Sequence, residues 1–187
     1  MDTRSLVPQN GKAVFPSTQN AESIRDLMKD KPKVLKLMMS LAQELLREEG
    51  ALSPADREII ALYVSVVNHC EYCLASHYEF ALSLGADEDE ITSIASGEYE
   101  GRFNNLFRYL ELLSLNPTAA WIHYEGCIRD GYTEEQIKEA VLIGSMFNMF
   151  NRIVEAHGLP HQTVGYQESA TRINAVGYDG RYVVFND

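Results

Sequence analysis

Cys70, Cys73 and His77 have the residue types and the spacing for thiol chemistry. They stand in the stretch Asn68-His69-Cys70-Glu71-Tyr72-Cys73-Leu74-Ala75-Ser76-His77. On a helix, residues at i, i+3 and i+7 share one face, so the three fall on a single stripe. Two thiols within disulfide reach, with a base beside them, are the minimum equipment for thiol redox chemistry. A helix start adds unpaired N–H groups and a partial positive charge, which stabilise a thiolate. A cysteine of ordinary pKa, about 8.5, is only ~3% thiolate at pH 7, and one lowered to ~6.5 is about three-quarters thiolate. By this argument alone Cys70, nearer the helix start, is favoured as the nucleophile.

Glu58 precedes Cys70 on the preceding predicted helix. If the two helices pack as a hairpin, its carboxylate reaches the stripe. A carboxylate bonded to His77 would orient the imidazole and raise its basicity. The outline is a relay of Glu58, His77 and one cysteine, with the other cysteine closing a disulfide.

The elements that must position these groups are helical. Lys33–Glu49 carries Val34, Leu37, Met38, Leu41, Leu45 and Leu46 at helical spacing, with Gly50 as a stop. Ser53-Pro54-Ala55-Asp56 opens a helix running to about Val67. Asn68 and Glu71 have the types for a capping box on the next helix, which continues to Leu84 and stops at Gly85. On that helix Cys70, Cys73, Leu74, His77, Ala81 and Leu84 share a face. Further helices are predicted over Asp87–Ser96, Phe103–Leu115 and Thr118–Arg129. Thr133-Glu134-Glu135-Gln136 is a second capping box, opening a long helix to Gly158 with Ile137, Val141, Phe147, Phe150 and Val154 apolar. Pro8, Gly11 and Pro16 mark residues 1–20 as an extended arm, and residues 21–158 form one helical domain. Residues 159–187 read as an irregular tail punctuated by Gly165, Gly177 and Gly180, with Tyr182-Val183-Val184-Phe185 a candidate edge strand. A faint internal repeat lays Ser53 over Thr133 and Asn68 over Asn148.

The chain's 187 residues suffice for one well-cored domain, and its 45% apolar content is that of a folded protein. A net charge of −11 argues against nonspecific binding to nucleic acid or to an anionic membrane. Three cysteines are too few for a disulfide scaffold. Met1-Asp2-Thr3-Arg4-Ser5 leads into polar residues, so no signal peptide is expected, and no apolar run reaches membrane-span length. A cytoplasmic protein is the expectation.

Glu58, then Cys70-x-x-Cys73-x-x-x-His77, then Gly85, resembles the alkyl hydroperoxidase D-like branch of the carboxymuconolactone decarboxylase family. The resemblance covers Leu52–Gly85 at motif level and extends loosely through Phe147-Asn148-Met149-Phe150-Asn151-Arg152, similar to the second-half signature of peroxidase-related members. It implies an all-α fold with the thiol motif on a helix hairpin, and a homo-oligomer. It also implies that Cys73 attacks peroxide, Cys70 resolves the product as a disulfide, and Glu58 and His77 relay the proton. The implied partners are a hydroperoxide and a dithiol reductant, either thioredoxin-like or lipoyl-bearing, and no cofactor is implied. Well-studied hydroperoxidases of this branch carry histidine immediately before the second cysteine. Tyr72 stands there, a poor base at neutral pH, which implies a thinner relay and slower peroxide reduction.

Other readings follow from the same residues. A helical oligomer whose thiols sense redox state or hold metal would need no turnover, but structural zinc wants four ligands and no second ligand pair is visible. Lactone decarboxylation is a third reading, against which the thiol pair itself counts, since the family's decarboxylases generally lack it. His69 is predicted to point away from the stripe, and Cys127 reads as a core thiol. His123, His157 and His161 lack a partner pattern. Asn148, Asn151 and Arg152 read as packing and interface hydrogen bonds. Asp87-Glu88-Asp89-Glu90 reads as an acidic helix start.

Overall fold

A computed structural model describes residues 14–161 and 165–181. Among them are nine α-helices and no strand, in agreement with the all-α expectation. They are α1 (Ile24–Leu27), α2 (Pro32–Leu46), α3 (Pro54–Val67), α4 (Glu71–Ser83), α5 (Glu88–Ser96), α6 (Asn104–Leu115), α7 (Tyr124–Arg129), α8 (Glu134–His157) and α9 (Tyr166–Val176). Short 3-10 segments cover Pro16–Thr18 and Pro117–His123. The second of these replaces the first half of the helix predicted over Thr118–Arg129.

Helix α3 is the centre of the molecule. It is buried nearly all round, which an apolar sequence such as Ile59-Ile60-Ala61-Leu62 requires. It packs along α4 and against α8, with α5 and α6 flanking. Ile59, Ile60, Leu62, Leu106, Leu110 and Ile143 form a sealed core, beside which Tyr63 stacks on Phe107 with ring centroids 3.8 Å apart. Ser53 caps α3 and Thr133 caps α8, the latter in the full capping box with Gln136.

On α2 the structure buries Met38, Met39, Ala42 and Leu46 but leaves Val34, Leu37 and Leu41 exposed, so only part of the predicted apolar stripe faces inward.

Two expectations need correction. Asn68 does not cap α4. It is the last residue of α3's C-terminal turn, and Cys70 itself occupies the N-cap of α4. His69 reverses the chain between them at φ 56°, a left-handed conformation uncommon outside glycine. The Asn68 amide is used elsewhere, donating to Asn148 Oδ1 (3.0 Å) and Asn151 Oδ1 (2.9 Å) on α8. The region after Pro160 is also not wholly irregular, because α9 lies within it and packs against α4. Gly165 and Gly177, read as breakers, are instead the two ends of this helix, at φ 97° and 81°. Its polar sequence buries only Ala170 and Ile173, too few to print an apolar period. Residues 1–13 of the predicted arm, and Tyr182–Phe185, lie outside the described residues.

Candidate active site

The turn 68–70 is tied down from three sides. Cys70 N–H donates to Ser65 O (2.9 Å), and Ser65 Oγ donates to Ala61 O (2.8 Å). Asn151 on α8 donates to Ser65 Oγ (3.1 Å), and Asn148 donates to Ser114 Oγ on α6 (3.0 Å). Arg152 donates back to Asn148 on its own helix. Asn148 and Asn151, read from sequence as packing residues, thus join three helices at the end that presents the thiols. Asn151 is buried and Asn68 and Asn148 are half-buried, and the three amides satisfy one another, which fixes the turn's register.

Cys70 and Cys73 are both buried, 0% and 5% exposed, and unlinked. With Ala21, Leu27, Val154 and Leu159 they form a small apolar cluster apart from the main core. The Cys70 thiol is hydrogen-bonded to Cys73. That bond, reinforced by burial and by the Cys73 charge, raises the Cys70 pKa well above the usual thiol range. Cys73 and His77, not Cys70, line the adjoining cavity.

His77 sits on α4 one turn beyond Cys73, as the stripe predicts, and is buried. Its ring is held edge-on by Phe147 at 4.4 Å and Phe80 at 5.2 Å between centroids. Nδ1 lies 2.5 Å from Glu58 Oε2. With Nδ1–H donated to the carboxylate, Nε2 is left as the basic nitrogen.

Glu58 is fully buried on α3. Its other oxygen, Oε1, accepts from Arg47 Nη1 (2.5 Å) and Tyr178 O–H (2.8 Å). Burial pushes this carboxyl up, but His77, Arg47 and Tyr178 together outweigh burial and hold it below the usual carboxylate range. Burial and the Glu58 charge raise the Tyr178 phenol, so it stays a donor. The Arg47 guanidinium also lies over the Tyr178 ring, 4.9 Å from its centroid.

Arg47 and Tyr178 carry no signal in the sequence. Arg47 follows the last turn of α2 within a charged run, and Tyr178 is one of ten tyrosines. Only the packing of α2 and of the chain after α9 onto α3 shows that they share a carboxylate.

The remaining candidates sort by position. Tyr72 lines the cavity, and burial raises its phenol pKa. Its ring meets Tyr166 edge-on at 5.7 Å. His69 is exposed. Cys127 is buried in the main core, away from the thiol pair, its pKa pushed up to about 11 by burial and Asp130. His157 bonds Ile153 O within its helix, and His161 stacks on Tyr166. Asp87–Glu90 open α5, the acidic helix start that was expected, with Asp87 as its cap, and Glu90 pairs with Arg102. Among the described residues, no three His, Cys, Asp or Glu side chains converge as a metal site. None of the described helices is long and apolar enough to cross a membrane.

The helical domain has an AhpD-like fold, in which a buried thiol pair opens one helix and the helix packed on it supplies a glutamate to its histidine. The model of the carboxymuconolactone decarboxylase family matches residues 32–111 of the chain. The chain is 26% identical over 134 residues to the uncharacterized protein YdfG of Bacillus subtilis (strain 168), covering 68% of this chain and 88% of that protein. Its fold is similar to the alkylhydroperoxidase AhpD core of an uncharacterized peroxidase-related protein from Ralstonia eutropha JMP134. The TM-score is 0.66 at 16% identity, over 81% of this chain and 93% of that one. An uncharacterized peroxidase-related protein from Silicibacter sp. TM1040 is similar at a TM-score of 0.63 and 18% identity, over 94% and 98%.

Proposed function

We propose that the protein is a thiol-dependent hydroperoxidase. The observation that carries this reading is that Cys73 and the Glu58-bound His77 line one cavity, with Cys70 behind Cys73. In the proposed cycle the Cys73 thiolate attacks a peroxide oxygen. An S–O bond forms, the O–O bond breaks, and the alkoxide leaves as the alcohol with a proton from the His77 imidazolium. His77 holds that proton after taking it from the Cys73 thiol, and Glu58 stabilises the cation. Cys70 then attacks the Cys73 sulfenic acid, forming the disulfide and releasing water. A dithiol reductant, thioredoxin-like or lipoyl-bearing, restores both thiols by exchange.

Two features favour Cys73 as the attacking residue, against the helix-dipole argument. Its thiol faces the cavity, whereas Cys70 is sealed. The Cys70 pKa is raised well above the usual thiol range, first by its hydrogen bond with Cys73 and then by burial, which keeps Cys70 protonated until its turn.

Peroxide consumption by the reduced protein with a dithiol donor tests the reading. Many turnovers, lost in both Cys73→Ser and Cys70→Ser, are expected. Cys70→Ser should also accumulate a sulfenic acid that dimedone traps. A single stoichiometric oxidation would leave a redox sensor instead, and turnover indifferent to both substitutions would remove thiol catalysis altogether.

The same proposal includes self-assembly, supported by the exposed Val34, Leu37 and Leu41 on α2. Light scattering of the pure protein should give more than a monomer, and a monomeric mass would end that part.

A further inference from the structure

The cavity beside Cys73 measures about 310 Å³, at the small end of small-molecule sites, which run from about 300 Å³ upward. Its walls are mostly apolar, from Met39, Phe80, Phe147, Phe150 and Ile173. Two cations also line it, Arg25 and Arg172, and among the described lining residues there is no carboxylate. That is a marked local reversal in a chain of net charge −11.

The two arginines come from different elements, α1 and α9, and neither has an ion-pair partner among the described residues. Arg25 is half-buried and fixed by donating Nη2–H to Tyr178 O, so its position is tied to the residue that holds Glu58. Asp179 is a carboxylate whose charge acts on Arg25, and it is already bonded to Arg181 and Ser40. The Arg25 pKa is lowered, first by burial and then by the Arg172 charge, as for like charges facing one cavity. An anion between them would relieve that repulsion and receive charge-assisted hydrogen bonds. Arg172 is exposed, while Cys73 and His77 are buried, so the cations stand toward the mouth and the thiol at the floor.

We infer that this cavity takes a single-chain amphiphile, with an anionic head at Arg25 and Arg172 and an apolar body along the phenylalanines toward Cys73. Resting on the hydroperoxidase reading, the substrate is then an alkyl hydroperoxide that carries an acidic group. Carboxylate and phosphate heads share this chemistry.

Two assays separate this inference from the activity it rests on. In the first, decanoate, decyl phosphate and methyl decanoate are titrated into the reduced protein by calorimetry. Either or both anions should bind at least about tenfold tighter than the ester, the cost of losing charge-assisted bonds. Arg25→Gln/Arg172→Gln should abolish the difference. Arg172→Gln alone, at an exposed position, should reduce it in a protein whose fold is not in question. The phosphate-to-carboxylate ratio identifies the preferred head. Equal binding of anion and ester, or anion binding indifferent to both arginine substitutions, overturns the inference.

In the second assay, kcat/KM is compared between a fatty-acid hydroperoxide and its methyl ester. The acid should be preferred, and Arg172→Gln should lower that preference. Equal turnover of acid and ester would leave the hydroperoxidase standing and remove the anion site. Arginine-dependent binding of decanoate with no turnover of any hydroperoxide would do the reverse.

Discussion

His77 and Tyr178 meet on one carboxylate, at opposite oxygens of Glu58, 2.5 and 2.8 Å away. One oxygen is therefore committed to the imidazole, and the other is occupied by the phenol and by Arg47. The carboxylate cannot rotate without breaking all three contacts, so the His77 ring has one orientation and one tautomer. This rigidity is what a proton-relaying histidine needs.

Glu58→Gln keeps the shape and removes the charge, leaving the Arg47 guanidinium, whose side chain is only 6% exposed, without its anion. Breaking a buried pair this way costs on the order of 3 kcal/mol or more. Urea unfolding of the variant should show that loss, and on the proposed cycle peroxide consumption should fall by about 10²-fold or more, since His77 loses its orienting partner. The pH dependence follows from the direction of the shift. The folded Glu58 pKa lies below its ordinary 4.5. Its contribution is therefore present above the unfolded value and lost as pH falls through the folded one. Wild-type stability should drop as pH falls below about 4.5, and the drop should be shallower in Glu58→Gln. Equal slopes would contradict the assignment of this carboxylate as a stabilised anion.

Tyr178→Phe isolates one bond. The ring stays to fill its place against Phe80 and under Arg47, and only the donation to Glu58 is lost. A hydrogen bond to a charged group contributes about 1.5–3 kcal/mol, and thermal or urea unfolding should register a loss in that range. With one donor fewer, the Glu58 pKa should rise toward the ordinary value, and the acid limb of the peroxide-consumption profile should move to higher pH. A stability loss with an unmoved profile would make Tyr178 a packing residue with no influence on the relay.

How far this site was legible depended on what was local. Cys70, Cys73 and His77 share a helix, so their common face follows from spacing alone. Glu58 required one further step, that a short turn folds α3 back onto α4, and the hydrogen bond to His77 agrees with it. Arg47 and Tyr178 reach Glu58 from distant segments whose sequence has no period or motif to announce them. The α9 helix was hidden for a related reason: it is held by α4 rather than by its own amphipathicity, and its bounding glycines look like loop signals. The Asn68 cap was misplaced because capping statistics are local, while its amide partners lie on α8. The repeat that aligned Asn68 with Asn148 does correspond to a contact, since those two amides are bonded.

The turn at His69 yields a final prediction. Its φ of 56° lies in the left-handed region, where a side chain with a Cβ is disfavoured by about 1–2 kcal/mol and a β-branched one is worse. The side chain is exposed, so replacing it sacrifices little packing. His69→Gly removes the Cβ penalty but gives the unfolded chain more freedom, and the two effects oppose each other. Its stability should stay within about 1 kcal/mol of wild type. His69→Val should lose about 2 kcal/mol, because valine tolerates this conformation poorly. Because the turn sets Cys70 at the N-cap of α4, the valine variant should also slow disulfide closure after peroxide treatment, measured by free-thiol titration over time. Two variants of equal stability and equal closure rate would mean that the turn does not hold this conformation, and that the register of the thiols is set by α8 alone.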